Sequence, residues 1–442
     1  MHHFSNRFAK MSVCSNEALQ KNRFVQLTFR QKMKKILIPI ILIVAIIAVG
    51  AVILTLRNGA EKPVPIESFI KTRHTADWYA HQAVLWEQQV NRKPNDDDAW
   101  IDWFLATRFR IMFETQESHN GRGIRQEDLD YTPLKNIAAR LAKERPTSFA
   151  RYFLDHMCNR MVNGYECEDN MEKAITMRPN EERFYPNYVS YLLPTDNDEL
   201  MKKIVRKWYK TDRFPNTGTF ISFFYNSLAG MEPGGILVVN GDIPVYSTLL
   251  IQYGMNKFQD RTMICLSFLY IPDYRKKICK QLGIDEIDDP MVHNSQELRE
   301  WEQNVFTTIA QKTGRPVYYS ATMAELSQYD MDFKSNLYSE GLVIKYSPVK
   351  YDNLSVKRRN FEEVYKTDYL YNHKRSKETY QAEDAINLNY IPCFKSLLTY
   401  YKETGNQEQE TKLRNLLTQI VDNCGENTGA AERKLYYDEI DR

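Results

Sequence analysis

The sequence predicts an α+β chain of several regions: one N-terminal transmembrane helix, a repeating α-helical array, a small α/β region with a mostly parallel sheet, and closing helices. Three observations predict it. Residues 36–56 form an apolar run without a charge. Proline punctuates amphipathic helical stretches over 72–232, and short β-type apolar runs alternate with helix patterns over 233–350. The expected organisation is a basic cytoplasmic segment (1–35), a membrane anchor (36–56), a linker (57–71), a helical domain (72–232), an α/β domain (233–350) and a helical end (351–442). The 442 residues, 43% hydrophobic and 12% aromatic, can bury a core, which excludes wholesale disorder. A net charge of +2 argues against a dedicated nucleic-acid binder, so no nucleic-acid partner is expected.

The charge is unevenly spread. Residues 1–35 hold eight Lys/Arg against one acid, Glu17. At 1.5 Å per residue, a helix over 36–56 spans about 30 Å, the hydrocarbon thickness of a bilayer. Lys32, Lys34 and Lys35 precede it directly, so the N-terminus is expected in the cytoplasm and the bulk of the chain across a bacterial inner membrane. A cleaved signal peptide is the alternative, with small residues at Ala48-Val49-Gly50 before Ala51. The longer apolar run, continuing through Val52–Leu56, favours an uncleaved single-pass anchor in contact with the lipid bilayer. Six of the seven Cys fall on the exported side. Cys158 and Cys167 are the closest pair and the candidate disulfide; buried free thiols are the alternative. No CxxC is present, the histidines are scattered, and neither a metal nor a cofactor is expected.

Within 72–232, a helix opens at Asp77-Trp78-Tyr79-Ala80, with Ala83, Trp86 and Val90 on one face, and stops at Lys93-Pro94-Asn95. The next starts near Asp98. Asp96-Asp97-Asp98 has metal-like DxD spacing, but acids at a helix start cap free N–H groups and favour the dipole. Pro146, Pro179 and Pro215 recur at 33 and 36 residues, and Met171–Ile175 before Met177-Arg178-Pro179-Asn180 is the clearest unit. This pattern resembles the tetratricopeptide repeat, which implies stacked helix hairpins with a concave groove for partner proteins. An irregular helical domain is the alternative.

From 233 the periodicity changes. Ile236–Val239 reads as a buried strand ending in Asn240-Gly241-Asp242, and a helix is expected from Pro244 to about Phe258. Thr262–Leu269, Arg315–Ser320 and Gly341–Tyr346 read as further strands. Pro272–Leu282 reads as a helix, and Ser295 is expected to cap another running to Lys312. Ligands of open α/β sheets bind beyond the carboxyl ends of strands, which makes Asn240, Gly241 and Asp242 the candidate ligand site. Asp242 could meet a cation or a sugar hydroxyl; a turn that only caps backbone groups is the alternative. Asp330-Met331-Asp332 repeats the DxD spacing in an irregular segment. No GxSxG, HExxH or P-loop occurs, so catalysis is not indicated.

GGILVVNGDIPVYSTLLIQYG followed by RTMICLSFLYIPDY, then RPVYYSATM, LYSEGLVIKYSP and the closing INLNYIPCFKSLLTYYKETGNQEQETKLRNLL, resembles the soluble C-terminal region of a bacterial glycosyltransferase-like membrane family related to protein O-mannosyltransferases. The similarity covers roughly 232–420. It departs where Ile243-Pro244 replaces Asp-Thr and where one anchor replaces a multi-spanning catalytic region.

In 351–442, Tyr369, Tyr371, Lys374 and Arg375 form a candidate face for a glycan or anion. Tyr390–Glu403 and Gln407–Cys424 are expected to pair around Thr404-Gly405-Asn406, and the tail after Gly425 is expected to fray. Together these features imply a membrane-anchored periplasmic scaffold or recognition protein with envelope or membrane protein partners. An accessory or catalytic role in envelope glycosylation, with a glycan or metal at the Asn-Gly-Asp turn, is the alternative.

Overall fold

The computed structural model describes residues 61–68, 72–119, 128–161, 169–290, 294–371, 380–425 and 428–441. The chain divides into two units, Met1–Val64 and Pro65–Arg442. The expected anchor at 36–56 lies outside the described residues. Among those described, no helix is long and apolar enough to cross a membrane.

The unit from Pro65 is mostly helical, with one small mixed sheet. Its helices begin with α1 (Ala76–Arg92), α2 (Asp97–Ser118), α3 (Thr132–Glu144), α4 (Phe149–Met161), α5 (Met171–Met177), α6 (Tyr185–Leu192), α7 (Asp198–Trp208) and α8 (Gly218–Ala229). Successive helices pack on one another: α1 on α2, α3 on α4, α4 on α5, and α6 on α7. The expected apolar stripe of α1 is real, with Ala83, Trp86 and Val90 buried. Asp96 caps α2 by accepting the Ala99 amide at 3.2 Å, so the acid triad starts a helix as its position predicted. Trp100, fully buried, donates its indole N–H to the Pro94 carbonyl at 2.9 Å and seals the turn between α1 and α2.

Five strands follow, β1 (Ile236–Val239), β2 (Thr262–Cys265), β3 (Val317–Ser320), β4 (Leu337–Ser339) and β5 (Val343–Tyr346), in the order β2-β1-β3-β5-β4. β1, β2 and β3 run parallel, and all their residues are buried, as continuous apolar runs require. The expectation of a mostly parallel sheet is corrected at its other edge. β5 is antiparallel to both β3 and β4, because only Glu340-Gly341-Leu342 separates β4 from β5, too short a link for a parallel crossover. The second expected strand also stops early, at Cys265, and turns into a 3-10 segment at Leu266–Tyr270.

Helix α9 (Asp242–Leu249) leaves β1 and runs into a π-turn at Leu250–Gly254. Helices α10 (Pro272–Leu282) and α11 (Ser295–Thr313) connect β2 to β3. The cap of α11 is Asn294, not Ser295: its side chain accepts the Glu297 amide. Asp330 likewise caps a short helical turn by accepting the Phe333 amide at 2.7 Å. The C-terminal Ala430–Asp441 segment, expected to fray, is helical. Ile440 is 3% exposed and its carbonyl accepts Arg414 Nη1 at 2.9 Å.

Candidate functional site

The turn after β1 places its three candidate residues in different roles. Gly241 has φ +88° and ψ 164°, a conformation essentially confined to glycine, and it swings the chain from strand into helix. Asn240 turns inward along the sheet edge. Its side-chain amide donates to Glu325 Oε1 at 2.9 Å, and its carbonyl oxygen accepts the Ser267 amide at 3.3 Å. It thereby ties together the loops that follow β1, β2 and β3, and its hydrogen-bonding capacity is largely spent on the fold.

Asp242 is different. It begins α9 and lines a cavity of about 220 Å³ between α9 and the helical array. A second pocket of about 30 Å³, room for roughly one water, lies on its other side, against Ser190, Cys265 and Ser267. Asp242 stays open to solvent through these spaces while protein surrounds it on most sides. That desolvation raises its carboxyl above the usual range, and the guanidinium groups of Arg108 and Arg160 oppose the rise.

The array supplies the opposite wall. Leu105, Arg108 and Phe109 from α2 and Phe153 and Met157 from α4 face the cavity. Burial pulls Arg108 below the usual guanidinium range, with Asp242 as its opposing charged neighbour. Neither Arg108 nor Asp242 makes a hydrogen bond or ion pair among the described residues. Arg160 instead donates to Ser190 Oγ at 2.7 Å and lies over the Phe268 ring. Arg213 stands 3.5 Å from Glu67 and 3.7 Å from Glu182.

At the far end of the cavity, the array grips its own chain. Arg183 pairs with Asp102, which is 1% exposed. The Ile66 amide donates to Asp102 Oδ1 at 2.9 Å, and the Ile66 carbonyl accepts Arg183 Nη2 at 3.0 Å. Two charged side chains thus hold one residue by its main chain.

The remaining sequence candidates lie elsewhere. Tyr369 turns inward, its hydroxyl 3.3 Å from both Asn387 Oδ1 and the Tyr390 hydroxyl, while Tyr371 is 45% exposed. Lys374 and Arg375 lie outside the described residues, and so does Cys167; Cys158 is buried. Cys265, Cys279 and Cys393 are buried free thiols. No cluster of three metal-ligating side chains occurs among the described residues. Arg108, Asp102 and Arg183 escaped sequence reasoning because nothing local sets them apart from other helical charges. Compared with known proteins, the chain matches no family model, no curated protein and no solved structure.

Proposed function

We propose that this chain is a membrane-anchored recognition protein of the bacterial cell envelope, without catalysis of its own, that holds a ligand between its helical array and the carboxyl ends of its parallel strands. One observation carries the reading: Asp242 opens into a cavity that also receives Arg108, and the two opposite charges share it without a direct hydrogen bond or ion pair among the described residues. A cavity that served packing alone would close over apolar groups or join its charges directly, and this one keeps an acid and a base apart. Phe109, Phe153, Phe184 and Phe214 supply apolar walls around these few polar groups, the composition of a binding pocket. Among the described residues no histidine lines either space.

The tetratricopeptide-like reading of the array is supported by the way its punctuating motifs meet. Arg145 and Arg178, each just before a recurring proline, both reach the acids of the first motif. The membrane anchor at 36–56 rests on the sequence. A role beside envelope glycosylation is the second reading, favoured by a carboxylate among aromatic walls, which suits sugar hydroxyls and the apolar face of a sugar ring.

The test is thermal denaturation of the full chain in detergent against panels of glycans and peptides, for the native protein and Asp242→Ala. At least one panel should raise the melting temperature of the native protein and leave the variant unmoved. Failure of every panel would remove the site. A periplasm-dependent reporter fused after residue 70 tests the topology: activity is expected there, and an active cytoplasmic reporter would overturn it.

A further inference from the structure

We propose that the cavity receives a free α-amino acid with an apolar side chain, its carboxylate on Arg108 and its ammonium on Asp242. This rests on reading the cavity as a binding site and names the class of its occupant.

The charges around the cavity cancel. Asp102 and Arg183 neutralise each other at its far end, and Arg213 faces both Glu67 and Glu182. Arg160, which donates to Ser190, adds a base whose charge reaches Asp242. With Arg108 and Asp242 included, four acids meet four bases, so no net charge is left to draw in a lone anion or a lone cation. Arg108 and Asp242 are joined by neither hydrogen bond nor ion pair, yet each feels the charge of the other. A ligand with a single charge would answer one of them and leave the other. A base and an acid held apart in one cavity match a molecule that carries a carboxylate and an ammonium on the same carbon. The carboxylate can meet the guanidinium through two parallel hydrogen bonds, and the ammonium brings three donors to the Asp242 carboxylate.

Size and lining set the rest of the molecule. A cavity of about 150 Å³ is enough to hold benzene. The space of about 220 Å³ here therefore takes a ring or a branched chain together with a small charged head, and not a peptide of several residues. Phe109, Phe153, Phe184 and Phe214 line it, with Leu105 and Met157. These walls suit an aliphatic or aromatic side chain. A sugar would bring hydroxyls but no charge to Arg108 or Asp242. Asp242 is exposed to solvent, so the ligand enters at the end where its ammonium is held.

The experiment titrates the full chain in detergent micelles by calorimetry. The probes are L-phenylalanine, L-leucine and two analogues with one charge each, 3-phenylpropanoate and 2-phenylethylamine. Both amino acids should bind about tenfold more tightly than either analogue, the scale of one charge-assisted contact. Arg108→Met should erase the advantage of phenylalanine over phenylethylamine, and Asp242→Asn its advantage over phenylpropanoate. Arg108→Lys, which keeps the charge but loses the planar fork, should keep part of the first advantage and serves where the Met variant does not fold. An analogue that binds as tightly as phenylalanine overturns the amino acid and leaves the cavity a binding site. A response to glucose alone, removed by Asp242→Ala, does the same. If no amino acid, analogue, glycan or peptide responds, the amino acid and the binding site fail together.

Discussion

Arg178 Nη1 stands 2.6 Å from Asp98 Oδ1, across 80 residues of chain. The same guanidinium lies 3.5 Å from Asp97, covers the Phe149 ring at 4.3 Å, and shares Asp97 with Arg145 at 2.6 Å. The two acids differ in exposure: the Asp97 side chain is 12% exposed and that of Asp98 52%. Exposed ion pairs contribute little, whereas breaking a buried one strands a charge. Asp97→Ala should therefore cost about 1–2 kcal/mol and Asp98→Ala about 0.5 kcal/mol or less. Urea denaturation checks the ranking; equal losses would show that the network acts through its exposed arm.

The clamp on Ile66 predicts a larger effect. Asp102 is nearly inaccessible, and burial raises its carboxyl against the pull of Arg183. Arg183→Met removes the counter-charge and the donor to the Ile66 carbonyl together, so a loss of about 3 kcal/mol is expected. The Ile66 amide should then exchange with solvent far faster than in the native protein. Hydrogen exchange read at that amide decides the point: unchanged protection would mean that the segment is held by its side chain alone.

Much of the framework was legible because it is local. Pro272–Leu282 and Tyr390–Glu403 occur with the expected ends, since proline starts or apolar periodicity mark them in the sequence itself. β4 escaped because its three residues are half-buried and carry no alternation. The Ala430–Asp441 helix escaped because its stability comes from contacts such as Arg414 to the Ile440 carbonyl, not from its polar composition. The site divides in the same way. The turn Asn240-Gly241-Asp242 announces itself as a strand end, but nothing local separates Asn240, which ties loops, from Asp242, which meets the cavity. Arg108 comes to share a cavity with Asp242 only through the packing of the array on the sheet, a relationship more than 130 residues long.

Gly241 offers a test of backbone strain free of crowding. A Cβ built there meets nothing nearer than Pro244 Cδ at 4.0 Å, so any penalty comes from φ +88° and ψ 164°. Gly241→Ala should cost about 1–3 kcal/mol. Gly405→Ala, at φ +68° with open space around it, should cost about 1 kcal/mol. Denaturant midpoints of the two variants supply the comparison. If Gly241→Ala is the milder, the turn relaxes and its geometry is not imposed by the sheet.

Asp242 should trade stability for binding. Its folded carboxyl titrates above the ordinary 3.8, because desolvation outweighs Arg108 and Arg160. The native state therefore holds this proton at a higher pH than the unfolded chain does. The stability this group contributes is present in full below 3.8 and is lost as pH rises through the raised folded value. At neutral pH the charged carboxylate is then expected to be a small cost to the fold, which Asp242→Asn relieves. The variant should melt slightly above the native protein at pH 7, since solvent at this open carboxylate screens most of the gain, with the difference closing as pH falls towards 3.8. The same variant should lose ligand binding, since the carboxylate that faces the cavity is gone. Melting temperatures of both proteins across pH 3.5–8 check the sign. A variant no more stable than the native protein at neutral pH would show that Arg108 and Arg160 already compensate the charge, and would remove the reason to expect a ligand there.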